Sequence, residues 1–232
     1  MDTTKPISFE EKVELFSLSF GFKNLPAEIH KKLAAKAESR HYQKNVVIFG
    51  PDEPCRYFYL VADGLVRVSI SSSEGNRLTY LLAVRGEPLN LVGPFTGAPR
   101  LMTAETSKKT ALLLIERDIF TNFAFNHPQL ITDIIAKLGE SLDSANSRIL
   151  DMQEKKVAQR LNRILHTLYK KFGPTLKFTS TELAELAGTT TESAIRALSH
   201  LRQKGIIETG RRNISIIKPE AIELSESSPL WI

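Results

Sequence analysis

The sequence predicts an α+β chain in three parts: an N-terminal jelly roll (a double-stranded β-helix), a long dimerisation helix and a C-terminal winged helix-turn-helix. Three observations predict it. Short β-rich runs separated by turn residues fill residues 44–115. An apolar seam at heptad spacing runs from Ile131 to Met152. The last third is basic, and Gly188 and Gly205 punctuate two short helical stretches there. The expected domains are therefore a sensing roll over 1–127, the dimer helix over 128–153 and a DNA-binding module over 154–232.

Composition sets the bounds. A chain of 232 residues has room for one large or two small domains, and 42% hydrophobic with 25% charged residues is ordinary for a globular protein. No apolar run exceeds about six residues, against the roughly 18 that a membrane span needs, so no membrane partner is expected. The opening MDTTKPISFE has acids and no apolar core, so no secretory signal is expected. The single cysteine, Cys55, excludes a disulfide framework, a four-cysteine zinc site and an iron–sulfur cluster. A cytoplasmic location is the expectation. The net charge of +5 is uneven: residues 1–153 are neutral, whereas 155–218 hold thirteen Lys and Arg against four Asp and Glu, a local +9. A basic module beside a neutral one points to a polyanion partner.

Along the chain, Leu25-Pro26-Ala27-Glu28 reads as a helix start, with Pro in the first turn and Glu at the positive dipole end. Six β-rich runs follow: Val46–Phe49, Tyr57–Val61, Leu65–Ile70, Leu78–Val84, Leu101–Thr106 and Ala111–Ile115. Asp63-Gly64, Gly75-Asn76 and Arg85-Gly86 are among the turns between them. At Pro128 the period changes. Ile131, Ile135, Leu138, Leu142, Ala145, Ile149 and Met152 alternate spacings of four and three, a seam that calls for a partner helix. Packing on the chain's own roll is the plainer alternative. The seam stops at Lys156, and a new apolar phase begins with Val157, Leu161, Ile164, Leu165 and Leu168, so Asp151–Lys156 reads as a hinge.

Thr179-Ser180-Thr181-Glu182 resembles an N-cap and an acidic first turn, and Gly188 closes that helix. Thr189 and Thr190 can cap a second helix carrying Ile195, Leu198 and Leu201, which Gly205 stops. Ile206–Thr209 and Ile214–Ile217 flank Gly210-Arg211-Arg212-Asn213 as a wing. Thr190, Thr191, Glu192, Ser193 and Arg196 fall in the first two turns of the second helix. Glu192 and Arg196, four apart, share a face. A Glu accepts from cytosine N4, and an Arg fork pairs with guanine O6 and N7. An ordinary ion pair is the alternative, and Glu192 orienting the Arg196 fork joins the two. Lys204, Arg211 and Arg212 are candidates for phosphate contact.

This order of parts resembles the cyclic-AMP receptor protein / fumarate–nitrate reduction regulator (Crp/Fnr) family of bacterial transcription regulators, over about residues 15–220. In the roll, Gly50-x-x-x-Pro54 and Tyr57-Phe58-Tyr59-Leu60-Val61-x-x-Gly64-x-Val66-Arg67-Val68 carry the resemblance. In the reader, it is carried by Glu192-Ser193-x-x-Arg196 and Leu198-x-x-Leu201-x-x-x-Gly205-Ile206-Ile207. The resemblance implies a cyclic-nucleotide-binding-like roll, a homodimer, a small-molecule effector, an inverted-repeat operator in double-stranded DNA with a TGA-like core, and contact with RNA polymerase. By position, Glu192 and Arg196 match the base readers and Ser193 a phosphate-contacting hydroxyl. Ile195 departs from the Gly or Ser common there. It either meets a thymine methyl or belongs to the core.

The effector cassette departs too. Cyclic-nucleotide binders carry Gly-Glu and then Arg-Ser/Thr-Ala, the Glu for the ribose and the Arg for the phosphate. Asn90-Leu91 and Ala98-Pro99-Arg100 stand there instead, which disfavours cyclic AMP. The pocket candidates are Leu89, Asn90, Leu91, Phe95, Arg100 and Met102, and an apolar or aromatic ligand suits their composition. The cassette is similar in length and in its Thr-Gly to the branch that senses chlorinated phenols. Haem stays open as a cofactor, with His30, His41, His127, Met102 and Cys55 as conceivable axial ligands. No metal site is expected. Nor is catalysis, because no nucleophile-elbow, dinucleotide, P-loop or zincin motif occurs. The reading is thus an effector-gated transcription regulator. A haem-based gas or redox sensor on the same scaffold, or a ligand-binding module without a DNA role, are its alternatives.

Overall fold

In the computed structural model, residues 6–19, 21–154, 156–210 and 212–222 are described. The chain forms two compact units, Met1–Ile70 with Leu81–Gly139, and Ser71–Tyr80 with Glu140–Ile232. Three elements run covalently from one unit into the other: the fourth strand by its last residue, the fifth strand and the long helix.

The first unit opens with helices α1 (Phe9–Leu18) and α2 (Ala27–Lys36). Ser8 and Glu11 close a capping box on α1. Then come β1 (Glu38–Tyr42), β2 (Val47–Phe49), β3 (Tyr57–Asp63), β4 (Val66–Ser71), β5 (Arg77–Ala83), the short α3 (Gly93–Thr96), β6 (Thr103–Thr106), β7 (Thr110–Glu116) and α4 (Arg117–Phe125). They form two sheets, in the orders β1-β7-β3 and β2-β6-β4-β5. All six expected strands match to within two residues, with Leu101–Thr106 beginning two residues late, at Thr103. The polar strand β1 and helix α4 had no comparable signal.

Strands β3 and β7 are buried on both faces, which is why they read as continuous apolar runs rather than alternating ones. Phe58, Leu60 and Ala62 of β3, with Ala111, Leu113 and Ile115 of β7, face a cluster built with Phe16, Phe22, Leu33, Phe120, Leu130 and Ile134 from the surrounding helical segments. Phe58 stacks on Phe120 at 4.0 Å between centroids, and Phe22 meets both edge-on. The intervening residues Tyr59, Val61, Leu112 and Leu114 are buried on the opposite face. Tyr59 reaches Phe49 of the other sheet at 5.5 Å.

The long helix α5 (Pro128–Glu154) spans 27 residues, and its first turns pack Leu130 and Ile134 into that core. Lys156, in extended conformation, separates it from α6 (Val157–Phe172) and donates its N–H to Gln159 Oε1 at 3.1 Å. Of the stretch read as a hinge, Asp151–Lys156, residues 151–154 are still helical, and α5 ends only at Glu154. In the second unit follow β8 (Thr175–Leu176), α7 (Ser180–Ala187), α8 (Thr191–Gln203), β9 (Ile207–Gly210) and β10 (Asn213–Ile216). β10 pairs with both β8 and β9, so the wing is a three-stranded sheet rather than a bare hairpin. Leu161, Ile164, Leu165 and Leu168 of α6 are buried, as are Leu183, Leu186, Ala194, Leu198 and Leu201 of α7 and α8. The helix-turn-helix is therefore held by a helix on its back and a sheet at its end.

Gly64 links β3 to β4 at φ +110, and a Cβ there would lie 2.7 Å from the Thr110 Cα. That neighbour is backbone and cannot swing aside. Gly64→Ala should therefore cost about 1–3 kcal/mol from overpacking alone. Urea denaturation of the purified protein should show a lower midpoint at unchanged slope.

Candidate nucleic-acid interface

The reader is assembled by caps. Thr179 accepts from Glu182 N–H at 3.2 Å, and Glu182 Oε2 accepts from Thr179 N–H at 2.7 Å, a closed capping box on α7. Gly188 ends α7 in the left-handed region at φ +59. Thr190 then caps α8 by accepting from Ser193 N–H at 3.3 Å. The turn is three residues long, from Gly188 to Thr190, so small changes in it are passed directly to the first turn of α8.

That first turn is open. Thr190, Glu192, Ile195 and Arg196 are exposed, and Thr191 and Ser193 are half-buried. Glu192 and Arg196 do not spend themselves on each other. The Glu192 carboxyl is held below its usual range first by its own backbone N–H, then by the Thr190 hydroxyl, with Arg196 the smallest contributor. Arg196 Nη2 donates to Ser193 Oγ at 3.3 Å, which points the guanidinium along the face and leaves its other edge outward. Ile195 is 47% exposed, which settles its two alternatives against the core. Along the same helix His200, Arg202 and Lys204 are exposed, the last at the C-cap. Arg202 had not stood out in the sequence. Its position three turns along α8, beside Lys204, is what marks it. Arg212 is exposed in the wing turn at φ +61, and Arg211 lies outside the described residues.

The seam on α5 divides. Ile131 and Leu138 are partly packed against the first unit's core. Ile135, Leu142 and Ile149 are exposed by 62%, 62% and 55%, and Ala145 and Met152 are exposed as well. A stripe of large apolar residues left open on one helix is costly unless another surface covers it.

In the roll, Asn90 spends its side-chain oxygen on the N–H groups of Val92 and Gly93, at 3.2 and 2.9 Å, and so builds the entry to α3. Leu89 and Leu91 are buried. Leu91 belongs to the helix-side core, and Phe95 is packed against it. Met102 is half-buried. Arg100 is buried, with its guanidinium 4.2 Å above the Phe49 ring and 5.8 Å from Tyr59. Its Nη1 donates to Pro54 O at 2.8 Å, while Nε and Nη2 are enclosed with no partner. Burial pushes the Tyr59 hydroxyl up to about 12 and raises the Cys55 thiol, although Arg100 and Arg117 pull the thiol the other way. A thiol so raised is a poor thiolate at neutral pH. Of the conceivable haem ligands, His30 and His127 each commit a ring nitrogen to a backbone carbonyl, Phe22 O and Phe123 O, and His41 is exposed. Among the described residues no three His, Cys, Asp or Glu side chains cluster for a metal, and no helix is long and apolar enough to cross a membrane.

Residues 39–127 match the cyclic nucleotide-binding domain, and residues 155–224 match the Crp-like helix-turn-helix domain. The chain belongs to the Crp/Fnr family. It is 25% identical over 191 residues to the nitrogen fixation regulation protein FixK of Azorhizobium caulinodans, covering 78% of this chain and 75% of that one. It is also 25% identical over 190 residues to the cyclic AMP receptor protein of Thermus thermophilus, covering 80% and 87%. Among solved structures, FixK2 from Bradyrhizobium japonicum superposes with a TM-score of 0.72 at 25% identity, over 80% of this chain and 95% of that one. The c-di-GMP-responsive regulator CLP of Xanthomonas campestris superposes at 0.74 over 82% and 99%. At 21% identity it speaks for the fold alone. The chain is thus a Crp/Fnr-type transcription regulator with a DNA-binding helix-turn-helix and a ligand-binding-type roll.

A base reader and a phosphate contact behave differently when removed. Arg196→Ala should cost about 1–3 kcal/mol per half-site and relax preference at one base pair. Lys204→Ala should weaken all sequences alike and reduce the salt slope by roughly one unit per site lost. Titrations of both variants against a selected operator and its single-base changes, at several salt concentrations, check this.

Proposed function

We propose that this Crp/Fnr protein works as a homodimer that binds an inverted-repeat operator and is gated by a small effector other than cyclic AMP. The observation that carries the reading is the first two turns of α8. There Glu192 and Arg196 are exposed, side by side, and not consumed by a mutual ion pair. Arg196 reads a guanine through its outward edge. Glu192 accepts from the paired cytosine or steadies the fork, and Ile195 meets a thymine methyl. Thr190, Thr191 and Ser193 lie at the helix N-terminus, where hydroxyls and backbone N–H groups suit a phosphate. Lys204, Arg212 and Arg211 supply further backbone contacts.

The partner helix is a second copy of α5. Ile135, Leu142, Ala145, Ile149 and Met152 offer an apolar stripe at 3.5-residue spacing, which two identical helices bury against each other. A dimer then offers two readers to half-sites about 34 Å apart. The roll holds the effector, with Leu89, Phe95, Met102 and Arg100 as contacts. A buried guanidinium with two unpartnered donors favours an acceptor-rich group, and the Phe49 and Tyr59 rings favour an apolar body. The ribose-binding carboxylate is missing, and Asn90 has its oxygen committed to the backbone. The protein acts on transcription without catalysis of its own, in contact with RNA polymerase, in the cytoplasm.

The reading is tested by selecting DNA from a random pool with the purified protein. An inverted repeat should emerge, and recovery of no preferred sequence would overturn the reading. Leu142→Glu should give monomers by light scattering and lose operator affinity at least tenfold, because the charge enters a stripe that only a partner covers. Leu138, half engaged with its own core, is the poorer position for that test. Calorimetric titration with cyclic AMP should show no sub-micromolar binding.

A further inference from the structure

The second unit contains a buried arginine cluster that reading DNA does not use directly. Arg148 on α5 is 8% exposed. Its Nη1 donates to Thr79 O at 3.1 Å and its Nη2 to Leu186 O at 2.8 Å. Arg160 on α6 donates Nε to Ala187 O at 3.0 Å and Nη2 to Gly188 O at 3.2 Å. Leu186, Ala187 and Gly188 are the end of α7, where the last carbonyls of a helix lack intrahelical partners and carry its negative dipole end. Two guanidinium groups, from two other helices, supply those partners as charge-assisted bonds. Arg163 holds the base of the cluster, bonding Asp151 and donating to Ser147 Oγ at 2.8 Å. Burial and the neighbouring Arg163 push Arg148 down to about 10, opposed by Asp151, so it remains charged at neutral pH.

The packing agrees with the hydrogen bonds. A Cβ on Gly188 would lie 2.6 Å from the Met152 methyl and 3.5 Å from Leu78. Thr79 Oγ1 donates to Glu185 Oε2 at 3.2 Å. The end of α7 and the start of the turn are thus enclosed by α5 and by Leu78 and Thr79 of residues 71–80, the tip made by the end of β4, the turn after it and the start of β5. Both of these continue covalently into the first unit.

We propose that Arg148 is a positioning residue for DNA reading. It ties α5 and the 71–80 tip to the C-terminal end of α7, and it thereby fixes the direction in which α8 presents Glu192 and Arg196. The inference rests on the proposed role of α8 as reader. Its distinct content is that a residue which touches no DNA sets operator geometry. One fork spanning two carbonyls on separate segments does this, and a Lys point charge does not.

The test uses the full-length protein, with Arg148→Met and the milder Arg148→Lys. Circular dichroism and thermal melting establish folding, and Arg148→Lys decides if Arg148→Met does not fold. Folded variants should lose at least tenfold in affinity for the selected operator. Binding to mixed genomic DNA and its salt slope should stay within twofold. Tolerance for operators with one base pair added to or removed from the spacer should rise. Hydrogen exchange, with no DNA present, should be at least tenfold faster at the amides of 190–193 and 77–80, and unchanged in β3 and β7. Unchanged exchange at these two segments overturns the proposal, as does a parallel loss of specific and non-specific binding. If the wild type selects no sequence, the reader assignment fails by itself, and the exchange arm still judges the tie.

Discussion

Everything in this protein hangs on the requirement that one helix satisfy three environments at once. Helix α5 is 27 residues long, about 40 Å at 1.5 Å per residue. Near its start Leu130 and Ile134 are core residues of the first unit. Toward its end Ser144, Ser147, Arg148 and Asp151 are buried among polar partners in the second unit. Between and across these faces runs the open stripe of Ile135, Leu142 and Ile149. An α-helix turns about 100° per residue, so a shift of one residue in register would turn Arg148 out of its carbonyls and a stripe residue into them. The cost of burying Arg148 away from its carbonyl acceptors thus enforces a single rotational setting for this part of α5.

The cost of burying Arg148 is met by acceptors rather than by a direct carboxylate partner. A guanidinium in an enclosed site needs its donors filled. Carbonyls at a helix end are suited to it, because they are unpaired by construction and lie at the negative end of the dipole. Arg100 in the roll solves the same problem less completely. It finds one carbonyl edge and two aromatic faces, and two of its nitrogens stay without partners. The contrast between the two arginines separates a structural fastening from a site with unspent hydrogen-bonding capacity.

Most of the architecture was legible in the residues because it rests on local rules. Turn pairs and apolar runs marked six of the strands to within two residues, the four–three spacing marked α5, and the caps at Thr179, Gly188 and Thr189–Thr190 marked the helix-turn-helix together with its apolar periodicity. The polar ESRHY run of β1 was not legible, since its strand character comes from pairing with β7 and not from its own composition. Among the candidate site residues, the shared face of Glu192 and Arg196 was readable from helix periodicity, and Ser193 from its place in the family's pattern. Whether Ile195 faced in or out was not, because an apolar residue at that phase suits either side, and only the packing of Leu198 and Ala194 against the helix's back decides it. Arg148 was invisible for a different reason. Its partners are backbone carbonyls of Thr79 and Leu186, far apart in sequence, and a backbone acceptor has no residue-type signature. Its one trace is a charged residue on the flank of the seam, one turn of α5 from Ala145 and from Met152.

The shared strand β5 bears on how this protein can be divided. The second unit is not a contiguous stretch of sequence: it includes Ser71–Tyr80 together with Glu140–Ile232. A gene fragment beginning at the helix break near Lys156 encodes a complete set of reader helices and wing strands. It nevertheless omits Arg148, Met152 and Leu78, which close the end of α7. Recombination at that break, in evolution or in a chimaera, would transplant a recognition helix while leaving behind the fittings that aim it. Exchange of specificity between such proteins is therefore cheaper by substitution on the face of α8 than by swapping the module whole.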